Sequence, residues 1–135
     1  MSEVIYTIDG NDFENLTELS QVFSKTVLQN HTWHGNFNAL NDLLRGGFGT
    51  PEGGFTLVWK NSDKSRDDLG QNATVKHYEQ LLKVCQPDNR VYLEEELERV
   101  CQGAGPTLFE IIVEIIHDHG PGGSEAEDGV LLQLE

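Results

Sequence analysis

The sequence predicts an α/β domain in which a three-stranded parallel sheet packs against helices. Residues 4–8 and 55–60 are rich in β-branched and aromatic side chains, as strands are. Residues 107–116 have a similar density between helix-breaking residues, which favours a third strand, although Glu110 and Glu114 would also suit a helix. Each connection is long enough for a helical crossover and none is a tight hairpin, so we expect parallel pairing.

Helices are predicted in the first crossover. Asn15 or Thr17 can cap a helix that extends to Leu28. A second, short helix lies within residues 33–44, and the pair Gly46-Gly47 predicts its end.

The second crossover is predicted to contain a turn and two helices. Residues 61–65 have the composition of a capped turn. Asn72 can cap a helix that Pro87 terminates, and another helix extends over residues 91–102 until the Gly and Pro of residues 103–106 stop it.

The composition changes near the C-terminus. Residues 118–135 contain five Asp or Glu residues and no Lys or Arg, together with several glycines. We therefore expect a domain at residues 1–117 followed by an acidic, glycine-rich C-terminal tail at residues 118–135. This tail is either mobile or adds an edge strand at residues 129–134.

The chain is strongly acidic. Its 135 residues include nine Lys and Arg against 23 Asp and Glu, a formal net charge of -14. This charge repels nucleic acid phosphates and anionic membranes and favours a cationic protein partner. No apolar run is long enough to span a membrane and the N-terminus lacks the basic start of an export signal, so we expect a cytoplasmic protein without direct nucleic-acid binding.

The short helix after Trp33 has two chemically different faces. The spacing of a buried stripe is found at Phe37, Leu40 and Leu44. The opposite, polar face consists of Asn38, Asn41, Asp42 and Arg45. An aromatic residue beside an acidic helix face is suited to binding a basic partner. The simpler alternatives are a solvated acid at Asp42 and a partly buried core aromatic at Trp33.

Residues that carry catalytic or metal chemistry give little support for an enzyme. The sequence lacks the GxSxG, HExxH and Walker motifs, and its glycines do not form a GxGxxG fingerprint. His117-Asp118-His119 could offer metal ligands, but such a run is more often solvated, so we expect neither a metal nor a cofactor. Cys85 and Cys101 are predicted to be reduced thiols in the core.

Three segments resemble the barstar family of ribonuclease inhibitors, within a similarity that extends from Val4 to about His117. These segments are residues 33–42, residues 57–62 together with Lys64-Ser65, and residues 109–113. The resemblance implies a small two-layer domain that inhibits a microbial ribonuclease by plugging its active site with the second helix and the preceding loop. The implied partner is a basic extracellular or toxin ribonuclease, or a related nuclease toxin, and the implied role is immunity through toxin neutralisation.

The resemblance also implies which residues contact the partner. They are Trp33, His34, Gly35, Asn38, Asn41, Asp42 and Glu98. Asp42 takes the place of the aspartate that enters the ribonuclease's phosphate-binding pocket, and Trp33 that of the aromatic that packs over its catalytic histidine. Asn38 and Asn41 stand where the type member has an aspartate and a tryptophan. Glu98 resembles a glutamate that makes a peripheral salt bridge.

Two other classes of function stay open. A non-inhibitory protein interaction or regulatory module could use the same acidic surface. An enzyme acting through His34 or Glu98 is the least supported class, because no catalytic motif accompanies these residues.

Overall fold

One parallel sheet organises the fold, and helices fill the connections between its strands. The computed structural model describes residues 4–28, 31–45, 50 and 54–135. The strands are β1 (Ile5–Asp9), β2 (Thr56–Lys60) and β3 (Leu131–Leu134). The helices are α1 (Leu16–Val27), α2 (Phe37–Leu44), α3 (Ser62–Asp68), α4 (Gln71–Val84), α5 (Pro87–Cys101) and α6 (Leu108–Asp118). β2 lies between β1 and β3 and pairs with both in parallel, which confirms the predicted α/β class and parallel sheet.

The prediction of a third strand at residues 107–116 is wrong, because this segment forms helix α6. A capping box starts the helix: the Thr107 side chain accepts a hydrogen bond from the Glu110 backbone N–H, and the Glu110 carboxylate accepts one from the Thr107 backbone N–H. Ile112 and Ile116 are buried on one face, whereas Glu114 is exposed. The β-branched residues therefore form the apolar side of an amphipathic helix.

The third strand lies instead at Leu131–Leu134, inside the segment for which the sequence left an edge strand open. Its backbone pairs with β2 in register, with Thr56 opposite Leu131 and Trp59 opposite Leu134. The backbone at Glu135 also accepts hydrogen bonds from the N–H and the hydroxyl of Ser62. The C-terminal end of the described chain is thus hydrogen-bonded to β2 and to the start of α3.

The main core lies between the sheet and helices α1, α2 and α6. Trp59 of β2 is at its centre, where it packs edge-on against Phe109 at 5.2 Å and donates a hydrogen bond from Nε1 to Ser65 Oγ at 3.0 Å. A second, smaller apolar cluster joins α4 to α5 and consists of Tyr78, Leu93 and Val100. The α4–α5 pair therefore forms a helical hairpin with its own apolar contacts.

Several predicted boundaries shift. Asn15, not Thr17, caps α1, and its side chain accepts a hydrogen bond from Glu18 N–H at 2.8 Å. The turn predicted at residues 61–65 extends into helix α3, and α5 begins at Pro87 rather than near residue 91, because proline fits the first turn of a helix. The predicted stop at residues 46–47 lies outside the described residues.

The two cysteines are free thiols, but the prediction that both lie in the core is wrong. Cys85 is half-buried and Cys101 is exposed at the end of α5. Among the described residues, no helix combines the length and the apolar content needed to cross a lipid bilayer.

Candidate partner-binding site

The loop before α2 sets that helix in place through two local signals. Gly35 has a φ of +90°, a left-handed conformation that glycine adopts at little cost. Asn36 then caps α2, because its side-chain oxygen accepts a hydrogen bond from the backbone N–H of Ala39 at 3.0 Å. One side of α2 is buried, at Leu40, Leu43 and Leu44. Because that side is packed in the core, the opposite face is held toward solvent.

Trp33 has a different place from the exposed anchor that the sequence suggested. Its side chain is only 3% exposed and packs edge-on against Phe23 of α1, with ring centroids 5.5 Å apart. The indole Nε1 donates to the backbone oxygen of Asn36 at 2.7 Å, and the backbone N–H donates to Ser24 Oγ at 2.8 Å. Trp33 therefore fastens the loop to α1 from inside the core.

His34 and Asn38 are exposed at the N-terminal end of α2, whereas Gly35 is buried. All three line a cleft of about 740 Å³ between this loop and the α4–α5 hairpin. Inside the cleft, the His77 ring packs against Phe37 at 5.5 Å, and burial lowers the pKa of His77. The cleft wall at His77 is therefore uncharged near neutral pH.

Asp42 projects from the exposed face of α2 and is paired within the protein. Its side chain is 62% exposed, and its Oδ1 accepts a hydrogen bond from Arg45 Nη1 at 2.7 Å. The same guanidinium donates from Nε and Nη2 to the two carboxylate oxygens of Glu125, at 2.6 and 3.1 Å. Asp42, Arg45 and Glu125 thus form a chain of charges in which one cation lies between two anions.

The pairing of Arg45 with Glu125 shifts the titration of both groups. The hydrogen bond to Glu125 raises the pKa of Arg45, and the same bond lowers the pKa of Glu125. Both shifts favour the charged forms, so the two side chains stay ionised at neutral pH. Arg45 and Glu125 therefore form an ion pair next to Asp42.

Asn41, predicted to contact the partner, is half-buried and is hydrogen-bonded inside the protein. Its Oδ1 lies 3.0 Å from Nε2 of His119, a fully buried residue just after α6. The other ring nitrogen, Nδ1, lies 2.6 Å from Oδ2 of Asp128. Asn41 therefore joins α2 to the segment between α6 and β3.

Glu98 lies on α5, apart from the residues of α2. It is exposed, and its carboxylate accepts a hydrogen bond from Gln102 of the same helix at 3.4 Å. α5 packs mainly on α4, and among the described residues no hydrogen bond or ion pair joins Glu98 to Asp42.

A group of potential metal ligands is formed by His119, Glu125 and Asp128. Their ligand atoms lie within 4.8 Å of one another, and the group differs from the run at residues 117–119 because His117 is exposed. Each of the three side chains already has a protein partner: His119 contacts Asn41 and Asp128, while Glu125 binds Arg45. The arrangement is that of a satisfied polar network that attaches a loop to α2.

Sequence patterns do not predict this attachment. They indicate an acidic, glycine-rich tail at residues 118–135 that is mobile or adds an edge strand, and they give no reason to expect His119, Glu125 and Asp128 beside α2. The signal that could have found them is the apolar run that ends the chain, because a strand there must bring the preceding loop back to the sheet.

A known protein family matches most of the chain. The model of a family described as barstar (barnase inhibitor) matches residues 4–103, a span that includes β1 to α5 and therefore α2 with its preceding loop. No curated protein matches the chain, and no solved structure does either. Helix α6, the loop that carries Glu125 and strand β3 lie beyond the matched span. With most of its length matched, including the helix that carries Asp42, the chain belongs to the barstar family.

Proposed function

We propose that this protein inhibits a basic ribonuclease, or a related nuclease toxin, by covering its active site with α2 and the preceding loop. The observation that carries the proposal is the exposed carboxylate of Asp42 on a helix whose opposite side is packed in the core. Membership of a family described as a barnase inhibitor supports the same reading. In this proposal the protein acts in the cytoplasm and protects the cell that makes the nuclease.

Asp42 acts as a mimic of the substrate phosphate. A ribonuclease holds RNA phosphates with Arg, Lys and His, and a carboxylate can accept charge-assisted hydrogen bonds from the same donors. Because α2 is capped by Asn36 and buried on its other side, Asp42 loses little conformational freedom on binding.

The other predicted contact residues divide into direct and supporting roles. His34 in the loop before α2 and Asn38 on α2 are exposed and can contact the partner directly. Trp33 and Gly35 shape the loop from inside, and Asn41 fixes α2 to the segment after α6. Glu98 contributes a peripheral charge from α5.

The overall charge assists the encounter. A net charge of -14 attracts a basic enzyme over distances up to the Debye length, which is about 8 Å at physiological salt. Such attraction raises the association rate more than it slows dissociation. Added salt should therefore reduce the association rate first.

Inhibition of barnase tests the proposal. We expect the protein to suppress RNA cleavage by barnase, and Asp42→Asn to weaken inhibition at least about tenfold, since the enzyme's cation loses a charged partner. Asp67→Asn on α3 removes the same charge from an exposed position outside α2 and is the matched control.

The proposal fails in either of two results. If barnase and other basic ribonucleases retain full activity with the protein in excess, the inhibitory function is wrong. If a partner without nuclease activity instead binds the protein and loses affinity with Asp42→Asn, the surface belongs to an interaction module.

A further inference from the structure

The segment between α6 and β3, residues 119–130, lies against α2 and is called here the α6–β3 loop. Its His119 contacts Asn41 of α2, and its Glu125 contacts Arg45, the residue that follows α2. Arg45 and Glu125 are 80 positions apart in the sequence. The loop therefore brings its own charges to the exposed side of α2.

Backbone contacts hold Glu125 in position. The Glu125 N–H donates to the backbone oxygen of Asp118 at 2.8 Å, and the Val130 N–H donates to that of His119 at 2.8 Å. Gly54, just before β2, approaches the backbone of Gly129 so closely that no larger residue would fit there. Both ends of the loop are thus fixed to α6 and to the sheet.

Arg45 is positioned to compete with any cation that approaches Asp42. It donates one hydrogen bond to Asp42 but two to Glu125. When a partner cation takes Asp42, Arg45 loses one bond and keeps its two bonds to Glu125. Glu125 therefore lowers the free-energy cost of releasing Asp42, because the guanidinium is never left without a counter-ion.

We propose that Arg45 is the internal counter-ion which a partner must displace from Asp42, and that Glu125 is a positioning residue that makes this displacement easier. The inference rests on the proposed function of Asp42. It assigns a role in binding to the α6–β3 loop, which lies outside the span matched by the family.

Two substitutions should change affinity in opposite directions. Arg45→Gln frees Asp42 and should tighten binding to barnase about twofold to fivefold, the range expected for an exposed ion pair. Glu125→Gln leaves Arg45 with Asp42 as its charged partner and should weaken binding by a similar factor. If Arg45 and Glu125 had only a structural role, replacing either side chain would weaken binding.

Net charge alone would give the same signs, so matched controls are needed. Arg90→Gln removes an exposed arginine that is paired with Glu94 on α5, and Glu127→Gln removes an exposed acid from the α6–β3 loop. Each control carries the same charge change as its counterpart. In 0.5 M salt, where the Debye length falls to about 4 Å, we expect the controls to match the wild type and the two test variants to differ from it.

The double variant separates the mechanism from a direct contact. If Glu125 acts through Arg45, Glu125→Gln should have no effect on affinity in the Arg45→Gln background. If the effect of Glu125→Gln persists there, Glu125 contacts the partner itself and the positioning role is overturned. Weaker binding by Arg45→Gln would overturn the competition between Arg45 and the partner.

A measurement without any partner keeps the inference separate from the proposed function. Hydrogen exchange of the Arg45 Nε–H, followed by ¹⁵N NMR, should be slow in the wild type and in Glu127→Gln but fast in Glu125→Gln. Fast exchange in the wild type would refute the hydrogen bond that holds Arg45 on Glu125. If exchange is slow but barnase is not inhibited, the proposed function is wrong while the pairing of Arg45 with Glu125 is supported.

Discussion

Replacement of Trp33 separates a core role from a role as a surface anchor. Trp33→Ala removes a side chain that is 3% exposed, its packing on Phe23 and the bond from Nε1 to the Asn36 backbone. Deleting a buried tryptophan costs about 3 to 5 kcal/mol. Domains of this size have a total stability of about 5 to 15 kcal/mol, so this is a large fraction of the free energy of unfolding.

Urea unfolding followed by circular dichroism measures this loss. With a urea dependence of about 2 kcal/mol per M, the midpoint should fall by about 1.5 to 2.5 M. Trp33→Phe should cost less, because the ring is kept and the Asn36 oxygen still accepts a hydrogen bond from Leu40 N–H at 3.0 Å. An unchanged midpoint for Trp33→Ala, together with weaker binding to barnase, would refute the role of Trp33 in the core and support direct contact with the partner.

Three further predictions concern the helices and the charges. Thr107→Ala removes the capping box of α6 and should lower the free energy of unfolding by about 0.5 to 2 kcal/mol, whereas Thr17→Ala, at an exposed position of α1, should have a smaller effect in the same urea titration. Because burial lowers the pKa of His77, the unfolded chain takes up a proton at this residue before the folded chain does as the pH falls below about 6.5, so the free energy of unfolding should decline there. His77→Gln should reduce the difference in the free energy of unfolding between pH 7 and pH 5. An unchanged difference would contradict this prediction. Raising the salt concentration from about 0.05 to 0.5 M should slow association with barnase at least tenfold in stopped-flow experiments and change dissociation far less, and an association rate independent of salt would refute electrostatic steering.

Local patterns were sufficient to predict the first half of the fold. β1 and β2 are marked by β-branched and aromatic residues, and the N-terminus of α1 by the capping side chain of Asn15. These signals act over a few residues and need no knowledge of the rest of the chain. They gave the α/β class and the parallel connection correctly.

The C-terminal half needed information that a local pattern does not contain. α6 has the β-branched density of a strand, and the signals for a helix, the Thr107–Glu110 capping box and the spacing of Glu110 and Glu114, do not outweigh it without knowledge of the packing. β3 has four residues, and its identity as a strand comes from pairing with β2. The α6–β3 loop is placed by these two elements together.

The candidate site was predicted in part for the same reason. The polar face of α2 follows from helical spacing, and Asp42 is exposed as expected. The burial of Trp33 depends on Phe23 and Ser24 of α1, and the ion pair that links Arg45 to Glu125 depends on the return of the chain after α6. Contacts between distant segments therefore decide which polar residues of α2 stay free.

Competition between this protein and a nucleotide for barnase tests the central claim most directly. If Asp42 occupies the phosphate-binding pocket, an RNA mononucleotide bound in the enzyme's active site must exclude the protein. The apparent dissociation constant should then rise in proportion to the nucleotide concentration, and Asp42→Asn should bind weakly with or without nucleotide. A ternary complex of barnase, nucleotide and this protein, with undiminished affinity, would contradict the account.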